Sequence, residues 1–106
     1  MQDTNGKSQH TEVEKKSQTA EVEIRSSGFK PEVVEISTGG CVEWVNKDSK
    51  DHAVQGVGFP MTASTDPKTS SRLQPGETWE KCFNIEGYFG YTDVYDSEFK
   101  GKVVVK

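Results

Sequence analysis

The chain has 106 residues, a formal net charge of −4 and 31% hydrophobic residues. That length corresponds to one domain, and the acidic balance excludes the basic surface that nucleic-acid binding needs. No run approaches the roughly 18 apolar residues of a membrane span, and no apolar h-region follows Met1, so neither a transmembrane segment nor a secretory signal is expected within the chain.

Residues 1–19 hold only Met1 and Val13 as apolar residues, with three acidic and three basic side chains. With no apolar periodicity, this segment is expected to be a disordered polar tail or tether, and residues 20–106 the folded domain. As a flexible tether the tail would span about 25 Å. It reads either as a linker or as the spacer of a surface-anchored lipoprotein whose lipidated cysteine has been replaced by Met1. His10 is expected to be solvated.

Ala20-Glu21-Val22-Glu23-Ile24 alternates apolar and charged residues, the pattern of a half-buried strand. Ser26-Ser27-Gly28 is a turn, and Phe29-Lys30-Pro31 leads into a second strand, with Val34 and Ile36 inward. After Thr38-Gly39-Gly40, a third strand runs from Cys41 to Asn46 with Val42 and Trp44 on one face and Cys41 and Glu43 on the other. A loop through Asp48 and Asp51 follows, and His52-Ala53-Val54 re-enters the sheet. Residues 56–72 are rich in Gly, Pro, Ser and Thr and form a long loop, pinned to the core by Phe59 and Met61. Leu73-Gln74-Pro75-Gly76 turns the chain into a strand from Thr78 to Ile85, with Trp79, Phe83 and Ile85 on one face and Glu80, Cys82 and Asn84 on the other. Lys81 shares the inward phase and is expected near an edge with its head in water. Gly87-Tyr88-Phe89-Gly90-Tyr91 reads as a strand. A polar loop through Asp93, Asp96, Glu98 and Phe99 follows, then a valine-rich strand over Val103, Val104 and Val105. Short strands, turn signals and no helical period give an all-β fold, an antiparallel sandwich. An immunoglobulin domain is the competing sandwich. Its spacing does not fit, since Trp44 lies three residues after Cys41 and Glu80 stands two before Cys82.

Taken together, these segments resemble the cupredoxins, the small blue-copper proteins. The resemblance covers residues 20–106. It rests on Phe29-x-Pro31, Gly39-x-x-Val42-x-Trp44-x-Asn46, the Leu73–Gly76 turn, the frame Gly87-x-Phe89-x-Tyr91, then Gly101 and the final valines. It implies a Greek-key β-sandwich of the cupredoxin type. His52 falls at the family's first copper histidine. At the other ligand positions the chain departs from the pattern: Asp93 stands at the cysteine, Asp96 at the second histidine and Phe99 at the methionine.

A blue-copper centre needs a thiolate, two imidazoles and a weak axial thioether. Asp93 supplies no thiolate, and both cysteines lie in strands outside the loop. His52, Asp93 and Asp96 remain as a mixed nitrogen–oxygen set that suits a single non-blue Cu(II) or Zn(II) ion. The competing reading has no cofactor: a protonated His52 pairs with Asp93 where copper would otherwise sit. Asp51 should face away from His52. Tyr91, Tyr95, Phe99 and Met61 are expected either as the rim of the site or as core and loop packing.

In the fold the chain resembles, the strands of Cys41 and Cys82 are neighbours in one sheet, and both cysteines take the outward phase. A disulfide between them is therefore implied, with two separate thiols as the alternative. The absence of metal-type cysteine spacing fits an oxidising compartment, either periplasmic, cell-surface or secreted. No nucleophile stands beside a base and no glycine loop cradles phosphate, so no enzyme is expected. Two functions remain. One is an extracytoplasmic cupredoxin-fold binding module, expected to be a monomer that meets another extracytoplasmic or membrane protein. The other is a copper-binding electron-transfer protein with altered ligands.

Overall fold

The computed structural model describes residues 19–57, 59 and 69–106. Among these, eight strands are present and no helix: β1 (Thr19–Arg25), β2 (Gly28–Lys30), β3 (Val33–Ile36), β4 (Cys41–Asn46), β5 (Val54–Val57), β6 (Thr78–Cys82), β7 (Gly87–Asp93) and β8 (Lys100–Val105). They form two sheets, β2-β1-β4-β6 and β3-β8-β7-β5. The fold is an all-β sandwich of two four-stranded sheets. β1 opens at Thr19, one residue into the expected tail. The rest of that tail, with His10, and Met61 in the long loop lie outside the described residues.

Four of the strand pairings are antiparallel: β1 with β2, β4 with β6, β5 with β7, and β7 with β8. The other two, β1 with β4 and β3 with β8, are parallel. Parallel neighbours need a long connection between them. Here the connection between β1 and β4 passes through the opposite sheet, because the chain leaves the β1–β2 hairpin, contributes β3 to the second layer and returns as β4.

Alternation places the core between the sheets. Val22 and Ile24 of β1, Val42 and Trp44 of β4, Tyr91 of β7 and Val103 of β8 are all buried. Rings fill the middle: Trp44 lies 5.2 Å from both Trp79 and Tyr91, Phe29 is 4.7 Å from Tyr91, and Phe59 is 5.2 Å from Phe83. Phe59 thus lies in the core, as expected.

Three details differ from the sequence expectation. Gly28 opens a short strand rather than closing a turn, at a φ of +130° that glycine adopts without strain. Ile85, expected inward, is exposed. β6 ends at Cys82, and Phe83 exchanges backbone hydrogen bonds with Gly39 and Gly40, which releases the chain into the turn before β7. Lys81 lies on an edge strand as expected, yet its side chain is buried instead of reaching water. Its ammonium sits 6.0 Å above the Phe83 ring, whose electron-rich face attracts a cation.

Candidate functional site

The site lies where the end of β4, the start of β5 and the end of β7 meet. β7 puts Phe89, Tyr91 and Asp93 on one phase, so the carboxylate of Asp93 points into the sandwich behind Tyr91, and it is 1% exposed. In register, Asp93 faces Val54 across the β5–β7 pair, which brings the residues preceding β5 against it. His52 is fixed by its backbone, whose N–H and C=O both bond Leu73.

Both ring nitrogens of His52 meet carboxylates. Nδ1 is bonded to Asp93 Oδ2, and Nε2 lies 2.8 Å from Asp48 Oδ2. The other oxygen of Asp93 accepts from the backbone N–H groups of Ala53 at 3.2 Å and Tyr95 at 3.0 Å. Asp48 Oδ1 accepts from Ser49 N–H at 2.7 Å. The Asp48 loop is itself stitched to the body by buried Asn46. The Asn46 amide donates to the carbonyls of Lys50 and Leu73, and its oxygen accepts from Asp48 N–H. Phe99 stacks on the imidazole with ring centroids 5.9 Å apart and planes inclined by 21°.

Two carboxylates on one imidazole favour the doubly protonated ring, since only that form donates a hydrogen bond to each. Burial pulls the pKa of His52 down, but the hydrogen bonds and charges of Asp48 and Asp93 outweigh it, so the net shift is upward. The hydrogen bond to His52, helped by the Ser49 N–H, lowers the pKa of Asp48.

Of the residues named from the sequence, the structure brings His52 and Asp93 together. Asp96 is held within its own loop, where its carboxylate accepts from Glu98 N–H at 3.2 Å. Among the described residues, no group of three or more His, Cys, Asp or Glu side chains is placed to hold a metal ion. Tyr91 is core rather than rim, because its alternation phase is that of Asp93, and burial pushes its phenol up to about 12. Tyr95 is exposed and Phe99 half-buried. Asp51 faces away, as expected, 3.6 Å from Arg72.

Asp48 is the functional residue that sequence reasoning missed. Its signal was present in Asn46-x-Asp48-x-x-x-His52: an asparagine that caps its own loop turns the aspartate back toward a residue four positions on.

No family model matches the chain. Solved structures do. A purple cupredoxin from Nitrosopumilus maritimus is 25% identical, with a TM-score of 0.71 over 82% of this chain and 99% of that one. An amicyanin variant in the Cu(I) state is 19% identical, with a TM-score of 0.69 over 83% of this chain and 82% of its own. A Cu-containing nitrite reductase from Thermus scotoductus is 24% identical, with a TM-score of 0.72. This chain is covered to 83% in that match but spans only 22% of the reductase. The chain has the cupredoxin fold.

Proposed function

We propose that this chain is a cupredoxin-fold interaction module in which a proton-holding Asp48–His52–Asp93 cluster stands in place of a type 1 copper centre. The observation that carries this reading is the occupation of both imidazole nitrogens by carboxylates, one of them buried and held by two backbone N–H groups. A copper ion needs a nitrogen lone pair, and in the protonated ring neither nitrogen has one. The remaining donors do not fit either. Cys41 and Cys82 are joined in a disulfide. Cys41 opens β4 whereas the site lies beyond its far end at Asn46, about 17 Å along the strand at 3.3–3.4 Å per residue. Phe99, at the position of the family's thioether, offers no donor atom.

The disulfide supports an oxidising, extracytoplasmic setting. The absence of a nucleophile–base pair in the site supports a binding role rather than an enzymatic one, with another extracytoplasmic or membrane protein as the partner class.

Addition of Cu(II) to the purified protein at neutral pH, followed by absorption spectroscopy and calorimetry, tests the reading. The expected outcome is no intense visible charge-transfer band and no stoichiometric binding that His52→Ala abolishes. An intense band that survives a chelator wash would restore the electron-transfer reading. Tight colourless binding that depends on His52 would instead establish a non-blue metal site.

A further inference from the structure

The two outer faces of the sandwich carry opposite charge. On the β2-β1-β4-β6 sheet, register sets Glu21 beside Glu43 and Glu43 beside Glu80. The three glutamates thus cross three strands in a single outward row, and none forms an ion pair among the described residues. Like charges directly opposite one another destabilise a sheet. Glu23, one row over, shows what compensation looks like: it faces Lys30 in register and binds Arg25. The Cys41–Cys82 bridge lies in the row next to Glu43 and Glu80 and ties β4 to β6 beside the repelling pair.

The outer face of the β3-β8-β7-β5 sheet is the reverse. Register aligns Val33, Lys102, Gly90 and Val57 across its four strands. Lys100 and Lys102 are exposed there, and Glu35 on the same face is already paired with Lys106 at 2.5 Å. Tyr88, Val57 and Val33 are 73%, 63% and 57% exposed, and Lys102 Nζ lies 5.7 Å from the Tyr88 ring. A shallow depression of about 190 Å³ is lined by Glu32, Val33, Lys100, Gly101 and Lys102. Glu32 also borders the depression, but neither Lys100 nor Lys102 forms an ion pair among the described residues. Apolar side chains flanked by two such cations make a surface that suits an acidic one, which the molecule carries on its opposite side.

We propose that the Lys100–Lys102 face docks the Glu21–Glu43–Glu80 row of a second copy of this chain. The contact is head-to-tail, so a pair still presents one free face of each sign and assembly does not stop at a dimer. Four strands about 4.8 Å apart and about five residues long give a footprint of roughly 300 Å², short of the roughly 800 Å² per partner of a stable interface. The dilute protein is therefore monomeric, and association is weak, electrostatic and sensitive to salt. The inference rests on reading the domain as an interaction module but does not involve His52. Copper binding there would leave it standing, and its failure would leave the copper test untouched.

Sedimentation of the full chain over a concentration series tests it at about 0.01 M and 1 M salt, where the screening lengths are about 30 and 3 Å. At low salt the average mass should rise with concentration without levelling at two chains, and at high salt it should return to that of one chain. Lys100→Glu with Lys102→Glu leaves two acidic faces, and Glu43→Lys with Glu80→Lys leaves two basic ones. Each double variant alone should stay monomeric at low salt, and a mixture of the two should associate. Circular dichroism and melting of each variant establish that it is folded. If a double variant does not fold, Lys102→Gln and Glu43→Gln take its place, and each should reduce the low-salt rise in mass. A monomer at low salt, association unchanged by the substitutions, or a mixture that stays monomeric would overturn the proposal. A monomer that instead sediments with phosphatidylglycerol vesicles would replace the second copy with an anionic lipid surface.

Discussion

At the scale of single residues, His52 sets the pH behaviour of the fold. Its folded pKa is raised, so its contribution to stability is complete below the ordinary imidazole value of about 6.5 and is lost as pH rises through the folded value. Asp48 behaves in the opposite sense. Its folded pKa is lowered, so its contribution is present above the ordinary carboxylate value of about 3.9 and is lost as pH falls through the folded one. The cluster therefore supports the fold most between about pH 4 and 6.5. An NMR titration should place His52 above its value in an unstructured peptide, and Asp48→Asn should bring it part of the way back. A His52 pKa at or below the peptide value would refute the clamped imidazolium. Asp93 is the more costly residue to lose. Asp93→Ala leaves the N–H groups of Ala53 and Tyr95 without their acceptor and His52 without its inner partner. We expect a loss of about 3 kcal/mol or more by urea denaturation, the scale for breaking a buried pair.

At the scale of elements, the β7–loop–β8 unit does the positioning. The loop closes on itself through Asp96 N–H to Asp93 C=O at 3.3 Å and Phe99 N–H to Asp96 C=O at 3.0 Å, and Asp93 N–H reaches Phe99 C=O at 3.2 Å. Asp93 and Phe99 are thereby held at the two ends of one turn, and this brings the Phe99 ring over His52. β8 then passes Gly101 across from Tyr91 in register. A Cβ at Gly101 would lie 2.3 Å from Tyr91 Cζ and 2.4 Å from its hydroxyl. Gly101→Ala must therefore displace a buried ring, and should lower stability by about 1–3 kcal/mol and disturb the Tyr91 and Trp44 signals in NMR spectra. An alanine variant as stable as the parent would show that the Tyr91 ring has room to move. The inward residues of β1, β3 and β4 were legible in the sequence, because Val22 and Ile24, Val34 and Ile36, and Val42 and Trp44 recur at every second position, whereas β7 with its glycines showed a strand but no phase. β6 was legible only in part. Its pattern continues through Ile85, but the strand ends earlier, where Phe83 bonds to the turn at Gly39 and Gly40.

At the scale of the whole molecule, neighbouring strands are tied by different means at the two ends of the sandwich. His52 and Asp93 hold one end. At the other, Cys41 and Cys82 occupy directly paired positions with Cα atoms 3.9 Å apart and a sequence separation of 41. In the chain-entropy model a bridge of that span contributes about 4 kcal/mol. Reduction should lower the melting temperature by well over about 5 °C, since about 1 kcal/mol shifts a domain of this size by roughly 4–8 °C. An unchanged melting curve after full reduction, verified by alkylation and mass, would refute that contribution. The bridge also restrains β4 and β6 against the Glu43–Glu80 repulsion, so reduction should weaken the fold more at low salt than at high salt.

The sequence alone determined the class of fold and the inward residues of most strands, because alternation and turn residues act locally. The resemblance to the cupredoxins also marked Asp93, at the family's cysteine position, as a candidate site residue beside His52. The pairing of Asp93 with His52 was one of two readings the sequence left open, and only the tertiary structure brought the two side chains together. That depends on how β5 and β7 lie in register and on an asparagine-capped loop that swings Asp48 onto the far side of the same imidazole. It decided too that β1 lies parallel to β4, and hence that Glu21 joins Glu43 and Glu80 in one row. Contacts between residues tens of positions apart are set by the packing of two sheets, and no local pattern encodes them.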